Sequence, residues 1–200
     1  FPFTLTPEQE KSYHAIAASI ESKKEEVFLL HGITGSGKTE VYLQAIARTL
    51  SLGRQVIMLV PEISLTPQTI ERFYNRFGDK IAVLHSRLSQ GERYDEWRRL
   101  RDGEALIAIG TRSALFAPLP HLGLIIIDEE HETSYKQDHS PRYHVREVAL
   151  QRAKLSGATV IMGSATPSFE SFYLARRGDY RLFSLPFRVE ERELPAVEIV

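Results

Sequence analysis

Two hundred residues, 42% hydrophobic and 26% charged, describe an ordinary globular domain large enough to bury a real core without staples. The absence of cysteine excludes disulfides, thiolate metal sites and cysteine nucleophiles, and is compatible with a reducing compartment. Lys plus Arg number 25 against 26 for Asp plus Glu, a formal net charge of −1, so nucleic-acid contact must come from local patches rather than a globally basic surface.

The opening Phe1-Pro-Phe-Thr-Leu-Thr6 has neither a basic region nor a long apolar run, so no signal peptide is expected. Thr6 and Pro7 read as the cap and first residue of a helix over 7–22, and the mixed charges of 21–26 as its solvated end. From there short apolar runs, at 27–30, 56–60, 81–84, 106–109, 124–127, 160–162 and 180–183, alternate with helix-length segments at 38–52, 66–77, 89–102, 146–156 and 168–177. Gly53, Gly78, Gly103 and Gly157 follow four of those segments, where a left-handed C-terminal cap favours glycine. Continuous rather than alternating apolarity suits strands covered on both faces, so the pattern predicts an α/β fold with a mostly parallel central sheet and helices on both sides. None of the runs is long enough to cross a bilayer, and no membrane association is expected. Residues 186–200, with Pro186, Pro195 and a charge run between them, read as a connector after a domain spanning 1–185.

Gly32, Ile33, Thr34, Gly35, Ser36, Gly37, Lys38 and Thr39 match G-x-x-x-x-G-K-[ST] between an apolar strand and a helix. Glycines let backbone N–H groups face phosphate oxygens at the positive end of the following helix. Lys38 would reach the β- and γ-phosphates of ATP, and Thr39 would place its hydroxyl on Mg²⁺. The strand at 124–127 runs directly into Asp128-Glu129-Glu130-His131. Strand ends are where open α/β sheets bind ligands, so Asp128 is expected to hold Mg²⁺ and Glu129 to position the attacking water. Lys38, Asp128 and Glu129 form the catalytic set of an ATP hydrolase.

Residues 130–144 lack a period of 2 or 3.6 and mix Tyr135 and Tyr143 with Lys136, Arg142 and histidines. Such a segment offers either base-stacking faces with basic neighbours for DNA, or a polar loop whose tyrosines lean on the sheet. His131, His139 and His144 are not spaced as metal ligands. Arg98, Arg99 and Arg101 read as a solvated helix face rather than a DNA stripe.

Asp128-Glu-Glu-His131 resembles the Walker B box of helicase superfamily 2, and Gly163-Ser-Ala-Thr-Pro-Ser168 its coupling motif. Gly32-Ile-Thr-Gly-Ser-Gly-Lys-Thr-Glu-Val-Tyr42, Pro61-Glu-Ile-Ser-Leu-Thr-Pro-Gln68 and Gly110-Thr-Arg-Ser-Ala-Leu-Phe-Ala-Pro118 are more specific. Together they resemble the PriA (primosomal protein N-prime) family of bacterial replication-restart helicases, from Leu5 to Pro195. The resemblance implies the first RecA-like lobe only, a P-loop NTPase fold that hydrolyses ATP and steps 3′ to 5′ on DNA once a second lobe closes over the nucleotide. It implies that Gln9 recognises the adenine edge, that Arg112 meets the DNA backbone, and that His131, Ser164 and Thr166 couple the γ-phosphate to strand movement. By the same resemblance, the segment holding Tyr135, Lys136, Arg142 and Tyr143 senses DNA. Partners implied are single-stranded and forked DNA, single-stranded DNA-binding protein and other primosome proteins, in the bacterial cytoplasm. Zinc is expected in a cysteine-rich region outside this chain and not within it. The competing functions are another superfamily 2 DNA translocase, a P-loop small-molecule kinase and a non-catalytic nucleotide sensor.

Overall fold

A computed structural model describes residues 4–189. The first helix, α1 (Pro7–Ser22), opens with a capping box: the Thr6 hydroxyl accepts the Gln9 N–H and the Gln9 side chain accepts the Thr6 N–H. There follow β1 (Val27–Gly32), α2 (Lys38–Ser51), β2 (Gln55–Leu59), α3 (Pro67–Phe77), β3 (Ile81–Leu84), α4 (Gln90–Arg101) and β4 (Ile107–Gly110). The second half comprises β5 (Leu122–Asp128), β6 (Lys136–Gln137), β7 (Tyr143–His144), α5 (Val145–Ser156), β8 (Thr159–Ser164), α6 (Phe169–Arg177) and β9 (Arg181–Leu185). Every expected strand and helix forms, α1 and β3 at the expected bounds and most others with ends shifted by a few residues. The hairpin of β6 and β7, antiparallel through Lys136–His144 and Gln137–Tyr143, was not expected from a segment with no regular period.

Seven strands form one sheet in the order β3-β4-β2-β5-β8-β1-β9, every pairing parallel. Successive side chains of a strand point to opposite faces, so each apolar run feeds two cores. Leu29, Ile57, Ile125, Ile127 and Met162 join α5 residues Val145, Ala149 and Ala153 on one face. Phe28, Leu30, Met58, Ile126 and Ile161 join α1 and α2 residues such as Ile16, Tyr42 and Ile46 on the other. Double coverage is why these strands read as continuous apolar runs. At the margin, α4 buries only Leu100, and its basic run is solvated, with Arg99 on Glu96. Among the described residues no helix is long and apolar enough to cross a membrane. Residues 186–189 lead out of β9, and 190–200 of the expected connector lie outside the described residues.

One close approach locks α2 to the sheet. Gly163 pairs in register with Asp128 at the ends of β8 and β5. The fully buried Tyr42 hydroxyl fills the space that a Cβ on Gly163 would need. Gly163→Ala should therefore cost about 1–3 kcal/mol as an overpacking change. Urea unfolding checks it, and adding Tyr42→Phe, which removes the obstructing oxygen, should recover part of the loss.

Candidate functional site

The C-terminal strand ends share one edge of the sheet, and there the loop between β1 and α2 forms, with the end of the central strand β5, a cleft of about 480 Å³. Its walls include residues 34–40, Gln9, Asp128, Glu129, Arg72 and Arg188. Gly37 has φ +80°, and the Gln9 side-chain amide occupies the position of the Cβ it lacks, so both conformation and space demand glycine there. Ile33, Thr34 and Gly35 form the exposed rim, and Thr39 is half-buried in the first turn of α2. Lys38 is buried, its Nζ donating to the Gly32 carbonyl at 2.7 Å. The Ser36 hydroxyl is also buried, yet among the described residues it has no hydrogen-bond partner. Buried hydroxyls are ordinarily satisfied, so an orphan inside a phosphate-type loop fits an anionic oxygen that completes it. The residues present suit the phosphates of a nucleotide.

Gln9, only 2% exposed, is already employed within the protein. Its Oε1 accepts the Thr6 N–H at 2.9 Å and its Nε2 donates to the Ser36 carbonyl at 2.8 Å. It thereby ties the start of α1 to the phosphate loop.

Asp128 ends β5 within the cleft. The Tyr42 hydroxyl donates to its Oδ1 at 3.0 Å, and the Tyr135 hydroxyl donates to its backbone carbonyl at 2.7 Å. Burial, and secondarily the Glu129 charge, raise the Asp128 pKa to about 6, against the lowering pull of the Tyr42 hydrogen bond and Lys38. Burial and the adjacent Asp128 push both tyrosine hydroxyls upward, so they remain donors. Glu129 has φ +47°, a left-handed backbone unusual for a residue with a side chain. His131 Nδ1 lies 2.7 Å from Ser164 Oγ and 3.6 Å from Glu129 Oε2, and the Thr166 N–H donates to the same Ser164 oxygen at 3.0 Å. Thr39 and Asp128 are the groups that would hold Mg²⁺ here, one hard oxygen from each.

The residues expected to meet DNA are arranged differently from the stacking picture. Tyr135 is 1% exposed within the core, so it offers no face to a base. Of the two readings open for Tyr135, the structure has the ring leaning on the sheet, with its hydroxyl on the Asp128 carbonyl. Tyr143 is half-buried, edge-on to Phe116 at 5.4 Å. Arg112 Nη1 donates to the carbonyls of Ser134 at 3.1 Å and Lys136 at 2.7 Å, gripping the backbone on both sides of Tyr135. Lys136 and Arg142 are exposed and engage Asp138. A continuous set of contacts therefore runs from Arg112 through the 134–136 backbone and Tyr135 to Asp128.

Sequence reasoning did not single out Tyr42, Arg72 or Arg188. Tyr42 was detectable, since it stands four residues after Lys38 on the same helix face. Arg72 and Arg188 carry no local signal. Arg188 reaches the cleft because the chain leaving β9 lies over the phosphate loop, the Val189 N–H donating to the Gly35 carbonyl at 3.1 Å.

The sequence model of the DEAD/DEAH box helicase family matches residues 6–173. The chain is 53% identical over 199 residues to replication restart protein PriA of Bacillus subtilis, covering 100% of this chain and 25% of that protein. Against PriA of Treponema pallidum it is 49% identical over 198 residues, covering 99% of this chain and 30% of that one. The chain thus spans about a quarter to a third of the length of these relatives. Among solved structures, RecG bound to a three-way DNA junction is similar at a TM-score of 0.66 and 26% identity, over 96% of this chain and 25% of that one.

The raised Asp128 pKa sets a pH dependence. A proton held below about pH 6 must leave before the carboxylate binds a cation. Mg²⁺-dependent nucleotide affinity should be flat above pH 6 and fall roughly tenfold per pH unit below it, as one-proton linkage requires. Tyr42→Phe removes a contact that lowers this pKa, so the break should move upward. Calorimetric titration of a nucleotide across pH 5 to 8, with and without Mg²⁺, reads both effects, and Asp128→Asn should abolish the break.

Proposed function

The chain belongs to the DEAD/DEAH box helicase family, and on that premise we propose that it is the ATP-binding RecA-like lobe of a replication-restart DNA helicase. The observation that carries this is the cluster at the ends of three adjacent strands, where Lys38, Asp128, Glu129, His131 and Ser164 meet beside an incomplete phosphate loop. In this scheme residues 32–39 bind the ATP phosphates, Lys38 leaving the Gly32 carbonyl for the β- and γ-oxygens. Thr39 and Asp128 hold Mg²⁺, which when bound neutralises charge on those oxygens. Glu129 aims the attacking water, and Gln9 holds the loop while offering an amide N–H to adenine. His131, with Ser164 and Thr166, passes the change at the γ-phosphate to the neighbouring strand end.

DNA acts from the other end of the edge. A backbone phosphate competing for the Arg112 guanidinium would loosen its grip on the 134–136 backbone. Tyr135 and Asp128 would shift in turn, while Lys136 and Arg142 hold further phosphates and Tyr143 moves with the hairpin. Residues 1–185 form the lobe, and 186–200 connect to a second lobe whose closure completes the site. The parent enzyme steps 3′ to 5′ on single-stranded DNA, opens forks for primosome assembly, and works in the bacterial cytoplasm with single-stranded DNA-binding protein and other primosome proteins. Zinc and its cysteine ligands belong to other parts of that parent. The names of the PriA relatives support restart. The RecG bound to a three-way DNA junction favours one alternative, a branch-migrating translocase with the same ATP chemistry.

Turnover by the full-length parent, with and without forked DNA, tests this. Forked DNA should stimulate ATP hydrolysis strongly, and residues 1–200 alone should be nearly silent, since an arginine finger supplied by a second lobe is worth about 10³–10⁵ in rate. Glu129→Gln should bind ATP within about threefold of native yet lose turnover by about 10²–10⁴. Equal, DNA-indifferent turnover in parent and lobe would overturn the proposal, and fork unwinding separates a helicase from a translocase that moves junctions only.

A further inference from the structure

The third carboxylate of the Walker B run has no part in the scheme above, yet it is the most buried of the three. Glu130 is 3% exposed. Its Oε1 accepts the Ser168 N–H at 2.6 Å, and its Oε2 accepts the hydroxyls of Ser168 at 3.0 Å and Ser171 at 2.8 Å. Its own N–H donates to the Gly163 carbonyl at 3.1 Å. Ser168 is the cap of α6 and Ser171 lies in its first turn. Arg146, at the start of α5, donates through Nη1 to the same two hydroxyls, at 3.2 and 3.3 Å. A carboxylate placed this deep is held by three charge-assisted hydrogen bonds, and removing any of them leaves a desolvated charge.

This exceeds what capping needs. The Ser168 hydroxyl already accepts the Ser171 N–H, as a cap should. At α1 and α4 the carboxylate or amide that completes the capping box comes from the helix itself, Gln9 and Glu92. At α6 it arrives from 38 residues away, out of the turn that also holds Glu129 and His131. One end of the 164–168 segment is tied to that turn by His131 on Ser164, and the other by Glu130 on Ser168.

We propose that Glu130 is a positioning residue that clamps helix α6 to the Walker B turn, so that the turn, the 164–168 segment and α6 move as one body when the nucleotide changes. The proposal deepens the ATP-hydrolysis scheme and rests on it. Two ties a few residues apart fix both the position and the orientation of the start of α6 relative to the turn, while Leu174 and Ala175 seat its far end on the core. The helix so driven carries Phe169, 82% exposed, stacked on the exposed Tyr173. A shift of Glu129 and His131 would thus be delivered to a surface outside the cleft.

The test uses the full-length parent and two variants that cut the clamp from opposite sides, Glu130→Gln and Ser171→Ala. Affinity for a non-hydrolysable ATP analogue, DNA-stimulated turnover, and amide exchange over 168–172 with and without the analogue are measured on each. Both variants should bind the analogue within about threefold of native while DNA-stimulated turnover falls at least about tenfold. The analogue should alter exchange at 168–172 in the native protein and leave it unchanged in both variants. Lowered thermal stability with the nucleotide response and stimulation intact would reduce Glu130 to a buried cap and overturn the proposal. So would native exchange at 168–172 that ignores the analogue. Should Glu130→Gln fail to fold, Ser171→Ala, which removes a single hydroxyl, decides between the same outcomes. Absence of ATP turnover in the native parent would instead sink the hydrolysis scheme, and the exchange response would still be readable.

Discussion

An all-parallel sheet delivers the C-terminal end of every strand to one edge, and the chemistry of this protein depends on that constraint. The order β3-β4-β2-β5-β8-β1-β9 makes β5, β8 and β1 consecutive. Gly32, Asp128 and Ser164, separated along the chain by whole helices, become neighbours because each sits where its strand stops. Side chains need only short reaches from there, and the residues that reach come from helices and turns that the strand ends themselves launch. Arg112, launched by β4, likewise reaches the hairpin that follows β5.

Around Asp128 the same geometry gathers charge into a place with little water. Two tyrosines approach it from opposite sides of the sheet, Tyr42 from the cluster containing α1 and α2, Tyr135 from the cluster containing α5. One restrains the carboxylate and the other the backbone that carries it. Both rings are fully buried in those clusters, so the carboxylate cannot drift without disturbing a core. The cost of burying Asp128 is only partly offset by its hydrogen bond and by Lys38, so its carboxyl stays raised to about 6.

Much of this was legible in the amino-acid order, for physical reasons. Strands buried on both faces cannot alternate, so the apolar runs at 27–30, 124–127 and 160–162 announced a covered parallel sheet. The phosphate loop was readable because backbone geometry forces glycine at positions such as Gly37, and Thr6, Pro7 and Gly157 marked helix ends. What escaped is what depends on contacts remote in sequence. Tyr135 sits among polar residues and reads as a surface aromatic, and only the fold shows the hydrophobic space waiting for it. Glu130 looks like one more acid in an acidic turn until α6 arrives with two serines. Arg188 belongs to a stretch whose composition suggests only a connector, and its approach to the cleft follows from where β9 ends. The hairpin at 136–144 is too short to impose a period on its residues.

Glu129 brings stability and activity into opposition. A left-handed backbone costs a side-chain-bearing residue about 1–2 kcal/mol. Glycine at that position would relax the chain, and asparagine would tolerate the conformation better than glutamate does. Selection for folding alone would therefore push position 129 away from the carboxylate proposed to aim the water. Replacements there can yield a protein that is more robust and inert, which makes screens for thermal tolerance a poor guide to a working motor. On the proposed scheme the turn after β5 is a held compromise, its strained backbone serving the reaction at the expense of the fold.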